Sequence, residues 1–384
     1  MLIRSAITLK LMQFAPTGAI VAAPTTSLPE DIGGVRNWDY RYVWIRDATF
    51  ALYAFTVLGY TDESKRFFDF VEKITDKCVD KGFDVSLMYS IWGKPVSRES
   101  VITHLAGYKN SKPVRIGNDA AEQFQLDVYG VLIDSIYFAQ KELGKSSNRP
   151  KQARLVMNLV KKIESAWQKP DSGIWEARVG PEQYTYSRVM AWVGVERAKQ
   201  LCGDLSLKAS DVELCSKLEI SIRNWIWDNC FSETEVNFQQ YPGSRTIDAT
   251  NFLFVLVKFL DKHDPKTMKI INNTVEQLSS NMIFIKRYGP AKDGLPGTEG
   301  AFILCTYWLI SALAILEDVE RATSIFNQFN TCMKPHGLIP EEIDPYKKNY
   351  LGNYPQSFSH MGYIMSAHYI HKYSKRFNSK SKDS

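Results

Sequence analysis

The sequence predicts an all-α fold, an α/α barrel of six inner and six outer helices, from three observations. Two kinds of helical pattern alternate along the chain, and the connections between them alternate in length. Neither a strand–helix alternation nor a short internal repeat offers another architecture.

The first kind of helix is amphipathic. Phe67, Phe70, Val71, Ile74 and Cys78 recur at three- and four-residue steps with Lys and Asp between them, which leaves one wet face. Leu155, Val156, Leu159, Val160, Ile163 and Trp167 repeat the pattern. Helices of this kind are expected near 2–14, 62–80, 150–168, 208–229, 266–280 and 318–332. The second kind is apolar nearly all round, as in 48–58, 124–139, 251–260 and 301–316, and must be buried on most sides. These fall near 45–59, 119–142, 184–201, 245–261, 299–316 and 356–372. Inner helices lead outward through short turns such as Gly59-Tyr60-Thr61. The return connections, 81–118, 169–183, 230–244, 281–298 and 333–355, are long and rich in Gly, Pro and aromatic residues. Loops of that length that all enter the inner ring gather at one end of the barrel, where chemistry is expected.

Composition narrows the class further. The 384 residues are 45% hydrophobic and 23% charged, which excludes a disordered chain. Forty-seven basic against 42 acidic residues leaves +5, too small a surplus for a dedicated nucleic-acid binder. One domain over 1–373 is the economical count, with 374–384 as a basic, disordered tail. The apolar run at 301–316 is interrupted by Thr306 and Ser311 and falls short of a membrane span. The start, Met1-Leu2-Ile3-Arg4, lacks a signal-peptide core. A soluble, cytoplasmic protein with no membrane partner is the expectation; the oligomeric state is left open. Six scattered cysteines show no C-x-x-C pair and read as buried free thiols. The six histidines show no H-E-x-x-H spacing, so no metal site is expected, and no glycine-rich nucleotide motif occurs. His360 is expected to brace the Glu341 loop or fill the core.

Three clusters carry potential chemistry. In Asn37-Trp38-Asp39-Tyr40-Arg41-Tyr42-Val43-Trp44-Ile45-Arg46-Asp47, two charges stand beside aromatic rings at the start of a buried helix. Asp47 capping that helix and pairing with Arg46 is one reading. A wall whose rings cover sugar faces while its charges grip hydroxyls is the other. In Asp171-Ser172-Gly173-Ile174-Trp175-Glu176-Ala177-Arg178, the Trp175 indole is expected to desolvate Glu176, as a general acid requires, while a simple Glu176–Arg178 pair is the plainer alternative. In Gly337-Leu338-Ile339-Pro340-Glu341-Glu342-Ile343-Asp344-Pro345, three carboxylates in four positions read as a solvated turn, but the apolar residues that fence them and the apolar helix that follows favour one of them pointing into a cleft. A carboxyl from each of two loops at one barrel mouth is the equipment of a glycosidase.

These clusters, with 15–30, 113–118, 293–302 and 351–360, resemble the catalytic domain of glycoside hydrolase family 15, over nearly everything from Arg4 to Tyr373. The resemblance implies an (α/α)6 barrel and an inverting hydrolysis that needs no metal or organic cofactor. It implies Glu176 as general acid and Glu341 as general base. It places Arg46 and Asp47 on the non-reducing glucose with Tyr40 and Trp44 beside them, and Trp175, Arg287 and Glu342 along the binding wall. An α-linkage would release β-D-glucose. The substrate is a small saccharide, trehalose ahead of malto-oligosaccharides; a non-catalytic regulatory or sugar-binding module is the third reading. Two departures accompany the resemblance. Prokaryotic members similar to this chain usually carry a β-sandwich domain before the barrel, and this chain starts almost at the first helix. Ala177 stands where fungal glucoamylases have a second acidic residue, which implies a differently built second-sugar site.

Overall fold

A computed structural model describes residues 1–80, 85–96, 98–145, 148–289 and 293–380. The outer ring consists of α1 (Leu2–Met12), α3 (Thr61–Asp80), α5 (Arg149–Ala166), α8 (Ala209–Cys230), α10 (Pro265–Leu278) and α12 (Val319–Asn330). Between them run the inner helices α2 (Ala48–Val57), α4 (Asp127–Glu142), α6 (Thr185–Gln200), α9 (Leu253–Leu256), α11 (Ile303–Ile315) and α13 (Ser357–Lys380). A single turn, α7 (Cys202–Leu205), follows α6. The expected alternation of wet and dry helices is the observed order of outer and inner elements. Every residue of α11 is buried, whereas α12 buries only Ala322, Ile325 and Phe329, three and four residues apart.

The inner ring closes on itself. Helices α2, α4 and α6 pack in sequence, α9 packs on α11, and α13 packs on both α11 and α2. Arg197 of α6 bridges to the end of α9, donating Nη2 to the Val257 carbonyl at 3.2 Å. Close approach is set by glycine where α4 crosses α6. A Cβ on Gly130 would stand 1.9 Å from the Met190 carbonyl oxygen, and one on Gly194 would stand 2.7 Å from the Gly130 Cα. Hydrogen is the only side chain that fits there.

Two inner helices start later or end sooner than the apolar pattern suggests. Residues 119–122 form a 3-10 turn and α4 begins only at Asp127, because Gln123 and Gln125 are drawn into side-chain bonds elsewhere. Helix α9 is one turn on from a 3-10 turn, Ala249–Phe252, and stops where Lys258 takes φ 64°. At the other end of the chain α13 continues past the expected boundary at 373 to Lys380; the rest of that tail, 381–384, lies outside the described residues. No helix among the described residues is long and apolar enough to cross a membrane. Among the described residues every strand is two residues long, and the strands tie loops together at the barrel mouth. Val43–Trp44 pairs with Met88–Tyr89, and Glu342–Ile343 pairs on one side with Ala301–Phe302 and on the other with Tyr350–Leu351.

Candidate active site

Each inner helix begins where a connection arrives from an outer one, and those connections bring the chemistry to one place. A cavity of about 470 Å³, counted to its open mouth, is lined by Tyr40, Trp44, Arg46, Asp47, Trp175, Glu176, Arg287 and Glu341, with Ala22, Ile174, Phe302, Gln356 and Phe358. Eight of the nine residues expected from the sequence therefore share one wall.

Glu176 stands at the tip of the loop before α6 with φ 59°, a left-handed conformation that a non-glycine residue rarely adopts. Gln123 fastens that tip by donating its amide to the Glu176 carbonyl at 3.2 Å. Below the loop, the fully buried pair Arg188–Asp171 (2.9 Å) and the Leu126 N–H donating to Asp171 at 3.0 Å fix its base. The Glu176 carboxyl accepts from Trp44 Nε1 at 2.7 Å and from Arg46 Nη2 at 3.3 Å. The indole that meets the carboxyl is thus Trp44, not the neighbouring Trp175. Trp175 sends its Nε1 to Asp248 at 2.9 Å and turns its ring toward Phe302 and Trp308. Nor does Glu176 pair with Arg178, which reaches Glu99 at 3.2 Å instead.

Arg46 is buried. Burial works against its charge, and Glu176, Asp47 and Asp127 hold it charged. Its Nη1 donates to Gln125 at 3.1 Å, while its Nε and the Asp47 Oδ1, 3.9 Å apart, have no hydrogen-bond partner. Asp47 makes no helix cap. Burial pushes its carboxyl up to about 7, with Arg46 pulling down and Glu176 pushing further up. Arg46 Nε and Asp47 Oδ1 are both closed off from solvent, although the two residues line the cavity.

Glu341 faces the cavity from the last connection. Its Oε2 accepts the Asn353 N–H at 2.9 Å and its Oε1 accepts the Gln356 amide at 3.3 Å; the Tyr40 hydroxyl hydrogen-bonds the same carboxyl. Burial, then Glu30, push it up to about 8, opposed by the Asn353 N–H, Arg287 and Tyr40. Gly352 passes so close that a Cβ there would stand 2.5 Å from Glu341 Oε2. His360 braces this loop as expected, accepting the Ile339 N–H at 3.1 Å through Nε2, while its Nδ1 meets Ser5 at 2.9 Å.

Glu342 does not reach the cavity wall. It follows Glu341 on an extended segment, where successive side chains point to opposite faces. Fully buried, it accepts the Gly300 N–H at 2.9 Å and lies 3.9 Å from Arg287. Its place is behind Arg287 rather than against a ligand.

Several residues at the site escape sequence reasoning. Glu30 accepts from Trp38 Nε1 at 3.0 Å and from Arg287 at 3.5 Å. Arg36 and Arg287 share Glu299 at 2.6 Å each, and Arg36 also holds Asp293. This buried lattice forms the floor of a second cavity of about 430 Å³, opening beside the first and sharing Tyr40, Trp175, Glu176 and Arg287 with it. Trp38 walls it, its ring stacked on Arg115 at 4.8 Å and Arg178 at 4.6 Å, with Glu99 bonded to both guanidiniums. For Gln123 and Gln125, which bond to Glu176 and Arg46, the visible signal was their alternation with apolar Phe124 and Leu126, polar at every second residue, which argues against the helix expected there. No group of three or more His, Cys, Asp or Glu side chains among the described residues is placed to hold a metal ion.

The sequence profile of Glycosyl hydrolases family 15 matches residues 1–368. The chain belongs to that family. The family 15 chain is 36% identical over 364 residues to a trehalase of Mycolicibacterium smegmatis, covering 94% of this chain and 54% of that one. It is likewise 36% identical over 368 residues to a trehalase of Thermoplasma volcanium, covering 96% of this chain and 58% of that one. The chain thus spans about half the length of the curated relatives it matches. Among solved structures, a wild-type glycosidase superposes with a TM-score of 0.75 at 17% identity, covering 96% of both chains. A bacterial glucoamylase complexed with acarbose superposes at 0.70, with 17% identity over 96% of this chain and 55% of that one. At those identities the likeness concerns the fold, an (α/α)6 barrel.

Proposed function

We propose that the chain is an inverting glycoside hydrolase that cleaves α,α-trehalose. The observation that carries the reading is that Glu176 and Glu341 reach one cavity from different loops, each with its own set of donors. Glu176 serves as the acid, protonating the glycosidic oxygen. Glu341 serves as the base, taking a proton from the water that attacks C1 on the opposite face of the ring. Inversion requires the two carboxyl groups to stand roughly 6.5–9.5 Å apart, with room for that water. A carboxyl pushed up to about 8 is a stronger proton acceptor than an exposed one, though ionised in a smaller share of molecules at neutral pH. Arg46 and Asp47, which line the cavity, hold hydroxyls of the first glucose, and Tyr40 with Trp44 cover its apolar face. The adjoining cavity, walled by Trp38, receives the second glucose.

Trehalose is favoured because the relatives that share a third or more of their residues with this chain across nearly all of it carry the name trehalase. A glucoamylase-type activity on malto-oligosaccharides is the second reading. It is supported by a broad cleft of about 1020 Å³ on the far side of Trp175, lined by Tyr184, Tyr241 and Tyr288, which offers rings to further glucose units. The acid–base pair counts against a purely regulatory or sugar-binding module, which has no use for it. We place the enzyme in the cytosol, where its six free cysteines remain reduced.

The test is glucose release from trehalose and from maltotetraose, offered separately to the wild-type chain and to Glu176→Gln and Glu341→Gln. Each variant is expected to lose about 10²–10⁴-fold in turnover of trehalose while remaining folded. Faster hydrolysis of maltotetraose would select the second reading, and full activity in either variant would remove that residue from its role.

A further inference from the structure

Arg178 stands two residues beyond Glu176 and does not pair with it. It is built instead into the wall of the adjoining cavity, beside Trp38, Ala177 and Leu295. Three contacts fix it there. Its backbone N–H donates to the Asp293 carbonyl at 3.0 Å, its guanidinium lies over the Trp38 ring at 4.6 Å, and its Nη2 donates to Glu99 at 3.2 Å. Glu99 is held in turn. The pairing of Ser100–Val101 with Arg115–Ile116 brings it to Arg115, 2.6 Å away. A long side chain on a loop ordinarily keeps its rotamer freedom in water, and ordering it is costly. This one is 28% exposed and fastened at both ends.

A guanidinium carries five N–H donors in a planar fork, and stacking on an indole leaves its edge free. Glu99 meets the fork at Nη2, and the side chain lines the cavity as well. Adjacent hydroxyls of a sugar ring offer such a fork two acceptor oxygens. Ala177, beside it on the same wall, contributes only a methyl group. The polar side chain that this end of the loop brings to the cavity is therefore Arg178.

We propose that Arg178 is a specificity-determining residue that donates hydrogen bonds to hydroxyls of the departing glucose. The proposal rests on the reading of trehalose as substrate and of this cavity as the place of its second ring. One loop then has two tasks: Glu176 protonates the bond that breaks, and Arg178 holds the sugar that leaves. A glucoside whose leaving group is not a sugar makes no use of Arg178.

The experiment compares kcat/KM on trehalose and on α-D-glucosyl fluoride, whose leaving group is a fluoride ion that fills no second sugar site. The full chain, Arg178→Met and Arg178→Lys are assayed, with a thermal melt for each. Arg178→Met keeps an apolar stem over Trp38 and removes the donors. It is expected to lose about 10–100-fold in kcat/KM on trehalose, the worth of hydrogen bonds from a charged donor, and to keep its kcat/KM on the fluoride. Arg178→Lys keeps the charge without the fork, and is expected to lose less on trehalose and again nothing on the fluoride. It decides the matter should Arg178→Met fail to fold. An equal loss on both substrates would mean that Arg178 merely supports the loop that carries Glu176, and overturns the proposal. An unchanged rate on trehalose overturns it as well. Hydrolysis of the fluoride but not of trehalose by the unaltered chain would instead take away the trehalose reading, and the proposal with it.

Discussion

At Glu176 a backbone torsion that most residues avoid is held by a hydrogen bond from Gln123, and the side chain is then aimed by Trp44 and Arg46. Such strain costs of order 1–3 kcal/mol and survives only where the surroundings over-determine it. Glu341 is positioned by different means, between donors from Asn353, Gln356 and Tyr40, with Gly352 at van der Waals range. Gly352 has φ 68°, so alanine there is strained and also collides with the Glu341 carboxyl. Gly352→Ala is therefore expected to cut turnover about 10²-fold or more, with binding of an unreacted glucoside less affected, since only the carboxyl proposed as base is displaced. Steady-state kinetics beside a binding isotherm checks this. An unchanged kcat would show that the loop absorbs the methyl group without moving the carboxyl.

Among the elements, the inner helices pack close enough that glycine decides their spacing. Gly130→Ala sets a methyl group against the α6 backbone at Met190. Overpacking of that kind typically costs about 1–3 kcal/mol. The expected result is a loss near the upper end of that range, read from denaturant midpoints; a change within experimental error would mean that α4 and α6 separate freely. The helices themselves were legible because the two packing roles leave different patterns, three-and-four spacing outside and apolar residues all round inside. The same signal failed where a segment is buried without being helical. Residues 119–126 look like the start of an apolar helix, yet Gln123 and Gln125 bond to Glu176 and Arg46, so the chain leaves the helical path at 123–125, between the 3-10 turn at 119–122 and α4. Glu342 failed for a related reason. Spacing brought it near Glu341, and the alternation of an extended chain turned it away. The Glu30–Arg36–Arg287–Glu299 lattice joins residues over 250 positions apart, and no local pattern announces such a pairing.

For the molecule as a whole, the mouth of the barrel concentrates buried carboxyls. Burial, ahead of any charge partner, pushes Glu30, Asp47 and Asp127 up to about 7 and Glu341 up to about 8. A carboxyl raised in the folded state binds its proton more tightly there than in the unfolded chain. The stability it contributes is full below the ordinary carboxylate range and is lost as pH rises through 7 to 8. His360 acts in the opposite sense, since burial lowers it to about 3 and its contribution is lost as pH falls below 6.5. Four carboxyls outweigh one histidine near neutrality. The melting temperature is expected to be higher at pH 6 than at pH 8.5, and a calorimetric Tm that rises over that interval would contradict the assignment of these groups as buried and raised.

The central claim is that two carboxyls on opposite sides of one bond hydrolyse trehalose by a single displacement. Proton NMR of the first glucose formed from trehalose tests it most directly, read before the anomers equilibrate. Inversion at the attacked carbon yields one β-glucose and leaves the departing unit as α-glucose, so equal amounts of the two are expected at the earliest times. Release of α-glucose alone would mean retention, and would contradict the roles given to Glu176 and Glu341.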